Sequence, residues 1–135
     1  GVLRHEPLFT SEEAAAIRGV PLASAAKALV CKIDDRFVLI VLPADRKLAS
    51  KAAKKELAGK SLRFATKEEV LELTGLTPGS IPPFGSLFNL PTYCDAALAE
   101  QAQINFNAGD HGISVSMTFA AYQAAEKPTL GSFAE

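Results

Sequence analysis

The sequence predicts a mixed α/β or α+β domain rather than a doubly wound parallel sheet, on three observations. Two eight-residue apolar runs, AKALVCKI (Ala26 to Ile33) and RFVLIVLP (Arg36 to Pro43), are separated only by Asp34-Asp35, which is hairpin spacing. Helical stretches interrupt the strand-like ones, yet neighbouring strands stay close enough for hairpins. The chain has 135 residues, of which 48% are hydrophobic, enough to bury one ordinary core, so a single domain over 1–135 is expected.

The elements follow in order. VLRHEPLF is short and extended. Thr10-Ser11-Glu12-Glu13 has capping-box spacing, and Gly19 before Pro21 supplies a stop, so a helix is expected between them. After the hairpin the pattern turns helical beyond Pro43: Lys47, Lys51, Lys54 and Lys55 recur at i, i+4, i+7 and i+8 on one face, while Ala49, Ala52, Ala53 and Leu57 gather on another. Gly59 ends that helix and SLRFA reads as a short strand. Thr66-Lys67-Glu68-Glu69 then caps a helix running through VLEL to Gly75. PTYCDAAL and AQINFNAG read as strands or strand fragments. GISVSMTF alternates Ile113, Val115, Met117 and Phe119 with small or polar residues, the mark of a half-buried strand. FAAYQAAE is a short helix before a coil.

Composition excludes several classes. No run approaches the roughly eighteen apolar residues of a membrane span, and GVLRHEP lacks the pattern of a secretory signal, so a cytoplasmic location is expected. Cys31 and Cys94 lie in apolar runs with no CxxC pairing and read as reduced core thiols. His5 and His111, the two histidines, show no zinc-ligand spacing, so no metal and no other cofactor are expected. Net charge is −1, but Arg46 to Lys67 holds eight basic residues against Glu56 alone, a local +7 that points to an anionic partner.

Three features bear on chemistry. In the loop PGSIPPFG, Gly79 can take positive φ, and the N–H groups of Gly79, Ser80 and Ile81 are free to face a ligand. Pro82 and Pro83 donate nothing and stiffen the chain. Preorganised amides of this kind suit a developing oxyanion, although a rigid connecting turn explains the loop as well. Lys27 shares a strand face with Leu29 and Cys31, so its ammonium must snorkel out or find an anion. His111 lies between glycines in NAGDHGIS, where a solvated turn histidine is the commoner case. No catalytic triad, P-loop or G-x-G-x-x-G can be assembled.

The ordered set HEPLFTSEEAA, SAAKALVCK, VLPADRKL, RFATKEEVLELTGLTPGSIPPFG and INFNAGDHGISVSM resembles the YbaK/EbsC-like aminoacyl-tRNA deacylases, relatives of the editing domain of bacterial prolyl-tRNA synthetase. The resemblance spans essentially the whole chain. It implies a mixed sheet forming a barrel-like core flanked by helices, and hydrolysis of wrongly charged tRNA. It also implies roles: a strand lysine at Lys27, and a G-x-x-x-P loop over Gly79 to Pro83 whose amides hold the aminoacyl ester. Lys27 would contact the terminal adenosine or its phosphate. Catalytic positions are then Lys27, Gly79, Ser80, Ile81 and Pro83. Phe84, Gly85, Gly109 and His111 are expected beside the substrate, with His111 as a specificity determinant. Independently of any family motif, Arg46, Lys47, Lys51, Lys54 and Lys55 are expected to meet tRNA acceptor phosphates. Family members usually carry a helix ahead of the segment equivalent to VLRHEP, and this sequence starts at that segment.

The leading expectation is a freestanding trans-editing deacylase acting on serine, threonine or alanine, with cysteine less favoured. The alternative is a binding module of the same fold that captures aminoacyl-tRNA or another nucleotide-bearing ligand without hydrolysis. Docking to an aminoacyl-tRNA synthetase is a third.

Overall fold

The computed structural model describes residues 2–4, 24–107 and 113–135, with backbone alone at 2–4, 113 and 114. The helix expected after Thr10, together with Gly109 and His111, lies outside the described residues.

The described residues form two sheets. The larger is built on the expected hairpin of β2 (Ala26–Ile33) and β3 (Arg36–Pro43), paired antiparallel throughout. It continues with β4 (Leu62–Phe64) beyond β2, and with β5 (Thr92–Asp95) and β8 (Thr129–Gly131) beyond β3, in the order β4-β2-β3-β5-β8. β4 pairs antiparallel, whereas β5 and β8 pair parallel. The smaller sheet is antiparallel, with β7 (Ile113–Thr118) between β1 (Val2–Arg4) and β6 (Gln103–Asn107). Among the described residues, a bridge from Ala25 to Asn105 links the two sheets. Among the described residues the core is therefore barrel-like but not closed.

The two central strands explain their own sequences. Leu39 and Val41 of β3 face one core with Ala28, Val30, Cys94, Ile104 and Tyr122; Val38, Ile40 and Leu42 face a second with Cys31, Ile33, Ala53 and Phe133. A strand buried on both sides reads as a continuous apolar run, which is why RFVLIVLP shows no alternation. Each such buried aliphatic side chain contributes about 1.5–3 kcal/mol. Burial also raises both thiols, Cys31 and Cys94 each being pushed up to about 12, in keeping with reduced core cysteines.

Helix α1 (Ser50–Glu56) covers the second core through Ala53, with Leu57 just past its end. It starts later than the lysine spacing suggests. Lys47 is held outside it by a backbone pair with Glu135, Lys47 N–H to Glu135 O at 3.0 Å and the return bond at 2.8 Å. Lys51, Lys54 and Lys55 share the helix, and Lys47 does not. Helix α2 (Lys67–Thr74) carries the expected capping box between Thr66 and Glu69 and ends on Gly75 at φ 74°. The Arg63 guanidinium, then the Thr66 amide, hold the Glu69 carboxyl down at about 2. After β5 comes the short α3 (Ala96–Ala99), capped by the buried Asp95, whose other oxygen accepts from Phe133 and Ala134 N–H at 2.8 and 3.0 Å. Helix α4 (Phe119–Glu126) follows β7, and its Phe119 and Tyr122 enter the first core. The expected terminal coil contains β8, because parallel pairing on β5 satisfies its backbone there.

Candidate active site

Between α2 and β5 the chain folds the proline-rich segment into two stacked turns. Thr77-Pro78-Gly79-Ser80 has a proline at its second position and Gly79 at φ 90° in its third, the requirement of a type II turn. Ser80 N–H closes it on the Thr77 carbonyl at 3.2 Å, and the Ser80 hydroxyl donates to the same oxygen at 2.7 Å. This corrects the expectation for Ser80: its amide is occupied inside the turn, and the residue is 3% exposed. Among the described residues, the N–H groups of Gly79 and Ile81 donate to nothing. The Gly79 carbonyl accepts from Asn107 Nδ2 at 2.8 Å, which fixes the plane of the Gly79–Ser80 peptide.

The rear of the segment is pinned to the core. Pro83 is fully buried, and its carbonyl accepts from the Tyr122 hydroxyl at 2.7 Å; burial drives that phenol's pKa upward, so it remains a donor. A tight turn brings Phe84 N–H to the Pro82 carbonyl at 2.8 Å. The Phe84 ring then meets Tyr122 and Phe106 edge-on, with centroids 5.2 and 5.7 Å away. Gly85 N–H donates to Thr92 Oγ1 at 2.9 Å, and Thr92 in turn donates to Glu126 at 2.6 Å. Phe84 and Gly85 thus serve as anchors behind the loop.

Lys27 projects from the start of β2, half-buried, and its ammonium donates to the Arg46 carbonyl. Desolvation lowers its pKa first; Asp45 opposes that shift and Lys47 adds to it. Lys27 borders a cleft of about 160 Å³ together with Ala26, Ala28, Leu29, Gly79, Ile81 and Asn107. One concavity is therefore bordered by the strand lysine, the turn glycine, Ile81 and a carboxamide. Such a set can hold an anion or polarise a carbonyl, because its donors are fixed before the ligand arrives. Among the described residues that border it there is no serine, threonine or cysteine nucleophile, and the two cysteines are core residues with raised pKa values.

The basic residues form a continuation rather than a single stripe. Arg46 and Lys47 lie in the segment that receives the Lys27 ammonium, and Lys51, Lys54 and Lys55 follow on α1. Lys54 and Lys55 in the last turn also complement the helix dipole. Asn107, Tyr122 and the Arg46 carbonyl are site components that sequence reading passed over. Only the polar end of INFN could have signalled the first. No group of three or more metal-ligating side chains occurs among the described residues.

Comparisons of sequence and structure with known proteins point to one family. The family description "Aminoacyl-tRNA editing domain" matches residues 5–125. The "Multifunctional Ser/Thr-tRNA deacylase ProXp-y" of Escherichia coli (strain K12) is 36% identical over 137 aligned residues, covering 98% of this chain and 82% of that protein. The proline–tRNA ligase of Shouchella clausii (strain KSM-K16) is 37% identical across 76% of this chain, which corresponds to 18% of the ligase. A crystal structure of a candidate trans-editing enzyme for prolyl tRNA synthetase superposes with a TM-score of 0.90 at 28% identity, covering 99% of this chain and 85% of that one. With the family description matched across most of its length, and a relative aligned nearly end to end, the chain belongs to the aminoacyl-tRNA editing domain family.

Proposed function

We propose that the chain is a trans-editing aminoacyl-tRNA deacylase that hydrolyses the ester of a small, wrongly attached amino acid on tRNA: serine, threonine or alanine before cysteine. The observation that carries this reading is the cleft that Lys27, Gly79 and Ile81 border together.

An aminoacyl ester is already activated, so positioning and charge stabilisation suffice where no protein nucleophile is present. A water, or a neighbouring hydroxyl of the substrate acting through water, attacks the acyl carbon. The carbonyl oxygen becomes an oxyanion facing the Gly79 and Ile81 N–H groups. The tetrahedral intermediate then expels the ribose oxygen, which takes a proton and leaves as a hydroxyl, with the amino acid released as a carboxylate. Lys27 steadies the phosphate end of the terminal nucleoside. Ser80 contributes by closing the turn, and Pro83 by anchoring it. The cleft's volume of about 160 Å³ and the buried Ile81 wall favour small side chains. Such an enzyme answers a physical need, since a synthetase pocket separates near-isosteric amino acids by only ~1–3 kcal/mol.

The tRNA acceptor phosphates would lie along Arg46, Lys47, Lys51, Lys54 and Lys55, giving affinity that falls with salt. The same reading makes an aminoacyl-tRNA synthetase a fitting partner and the cytoplasm the working compartment. No helix among the described residues is long and apolar enough to cross a membrane.

The test is release of labelled amino acid from a panel of mischarged tRNAs with protein well below substrate. Many turnovers per molecule on seryl-, threonyl- or alanyl-tRNA are expected. Protection of the ester instead would identify a binding module and overturn the proposal.

A further inference from the structure

Two recesses meet along one ridge. Ala28, Leu29, Gly79 and Ile81 border the Lys27 cleft and also a second recess of about 180 Å³, which Phe64 and Val70 help to close. The two differ in chemistry. The first is bordered by a lysine and a carboxamide, whereas among the described residues no titratable or amide side chain lines the second. Phe64 is the largest side chain of that second recess, yet it is 58% exposed on the edge strand β4. Its surroundings are nevertheless fixed. Arg63 holds Glu69 through two bonds of 2.7 and 2.9 Å and donates to the Phe64 carbonyl at 3.1 Å, while Ala65 N–H pairs with Val30 O at 2.9 Å. The ring thus stands on a strand whose backbone is hydrogen-bonded on either side of it.

The aminoacyl ester of a nucleoside is two-sided in the same way. Ammonium, acyl and phosphate groups hydrogen-bond at one side of the ribose, and a flat base with apolar faces stands at the other. We propose that the apolar recess is a nucleobase subsite in which the Phe64 ring stacks on the 3′-terminal adenine while the ribosyl ester lies across the Gly79–Ile81 ridge. This rests on the deacylase reading and adds to it. Base-on-aromatic stacking needs no hydrogen-bond code, so the subsite accepts the end common to all tRNAs and leaves discrimination to the first recess.

Two measurements test it. With seryl-tRNA, Phe64→Ala should raise KM about tenfold with kcat within about twofold, the size expected for one lost stack. Phe64→Tyr should restore KM, and hydrolysis of serine methyl ester, which has no base, should be equal in all three proteins. An unchanged KM in Phe64→Ala, or an equal loss on the methyl ester, overturns the subsite. Separately, saturation-transfer NMR with 5′-AMP should show adenine proton signals with the unaltered protein that vanish with Phe64→Ala; equal signals overturn the subsite. If the unaltered protein hydrolyses no charged tRNA, the deacylase reading falls, and the 5′-AMP titration by itself decides the fate of the subsite.

Discussion

The front and the rear of the proline-rich segment, only a few residues apart, are built in opposite ways. At the front, Gly79 is exposed, adopts φ 90°, and lies among amides without partners in the described residues. At the rear, Pro83 is sealed in the core, the Tyr122 hydroxyl holds its carbonyl, and Gly85 is locked to Thr92 and through it to Glu126. Unpaired donors are costly wherever water is excluded, and a free chain would turn them inward. Fastening the rear fixes where the turn at the front stands against the cleft.

Substitutions can break this pairing one end at a time. The largest effect belongs to the rear: a Cβ at Gly85 would collide with Thr92 Oγ1 and the Leu90 carbonyl oxygen, neither of which can withdraw cheaply. Gly85→Ala should cost about 3 kcal/mol in a urea titration and abolish turnover at temperatures where the unaltered protein is stable. At the front, Lys27→Ala should lower kcat/KM about a hundredfold, about 2.7 kcal/mol of barrier, with an unchanged urea midpoint.

The pH profile sharpens the second case. Desolvation lowers the pKa of Lys27 below its ordinary 10.5, so the ammonium is lost at a lower pH when folded than when unfolded. Activity should therefore fall on the alkaline side before 10.5, and Lys27→Arg should move that limb upward. The linkage has the opposite sign for stability. Between the folded and unfolded pKa values the unfolded chain binds more protons, so the Lys27 contribution to stability rises with pH there.

Smaller effects follow. Tyr122→Phe leaves the buried Pro83 carbonyl without its donor and should cost about 1–2 kcal/mol, with kcat reduced more than KM as the rear loosens. Gly79→Ala forces a side chain into positive φ and should cost about 1 kcal/mol by the same titration, with a severalfold loss of kcat. A rear substitution that altered activity without altering stability would show that the two ends are uncoupled.

Local chemistry was the readable part of this molecule. The β2–β3 hairpin, the Thr66 capping box and the Gly75 stop depend on residues adjacent in sequence, and they form where their patterns lie. The same holds for the glycine requirement at Gly79. Long-range pairings were not readable. Lys47 has helical spacing, but its backbone is recruited by Glu135, eighty-eight positions away, and spacing cannot register that competition. Ser80 looked exposed because serines in Gly/Pro loops usually are, yet its hydroxyl and amide both serve the Thr77 carbonyl. Asn107 and Tyr122 reach the loop from β6 and α4, so their part in the site exists only once the sheets have assembled. The parallel strand β8 escaped for a similar reason, since three residues carry no periodicity of their own.

Each apolar layer of the larger sheet carries one free thiol, Cys94 in the first and Cys31 in the second, both inaccessible. Pulsed alkylation followed by peptide mass mapping could thus time the opening of each layer separately, without introducing any label. Matching rates at the two sulfurs would mean the layers breathe as a unit, and a faster Cys94 would mark the loop-bearing layer as the first to yield.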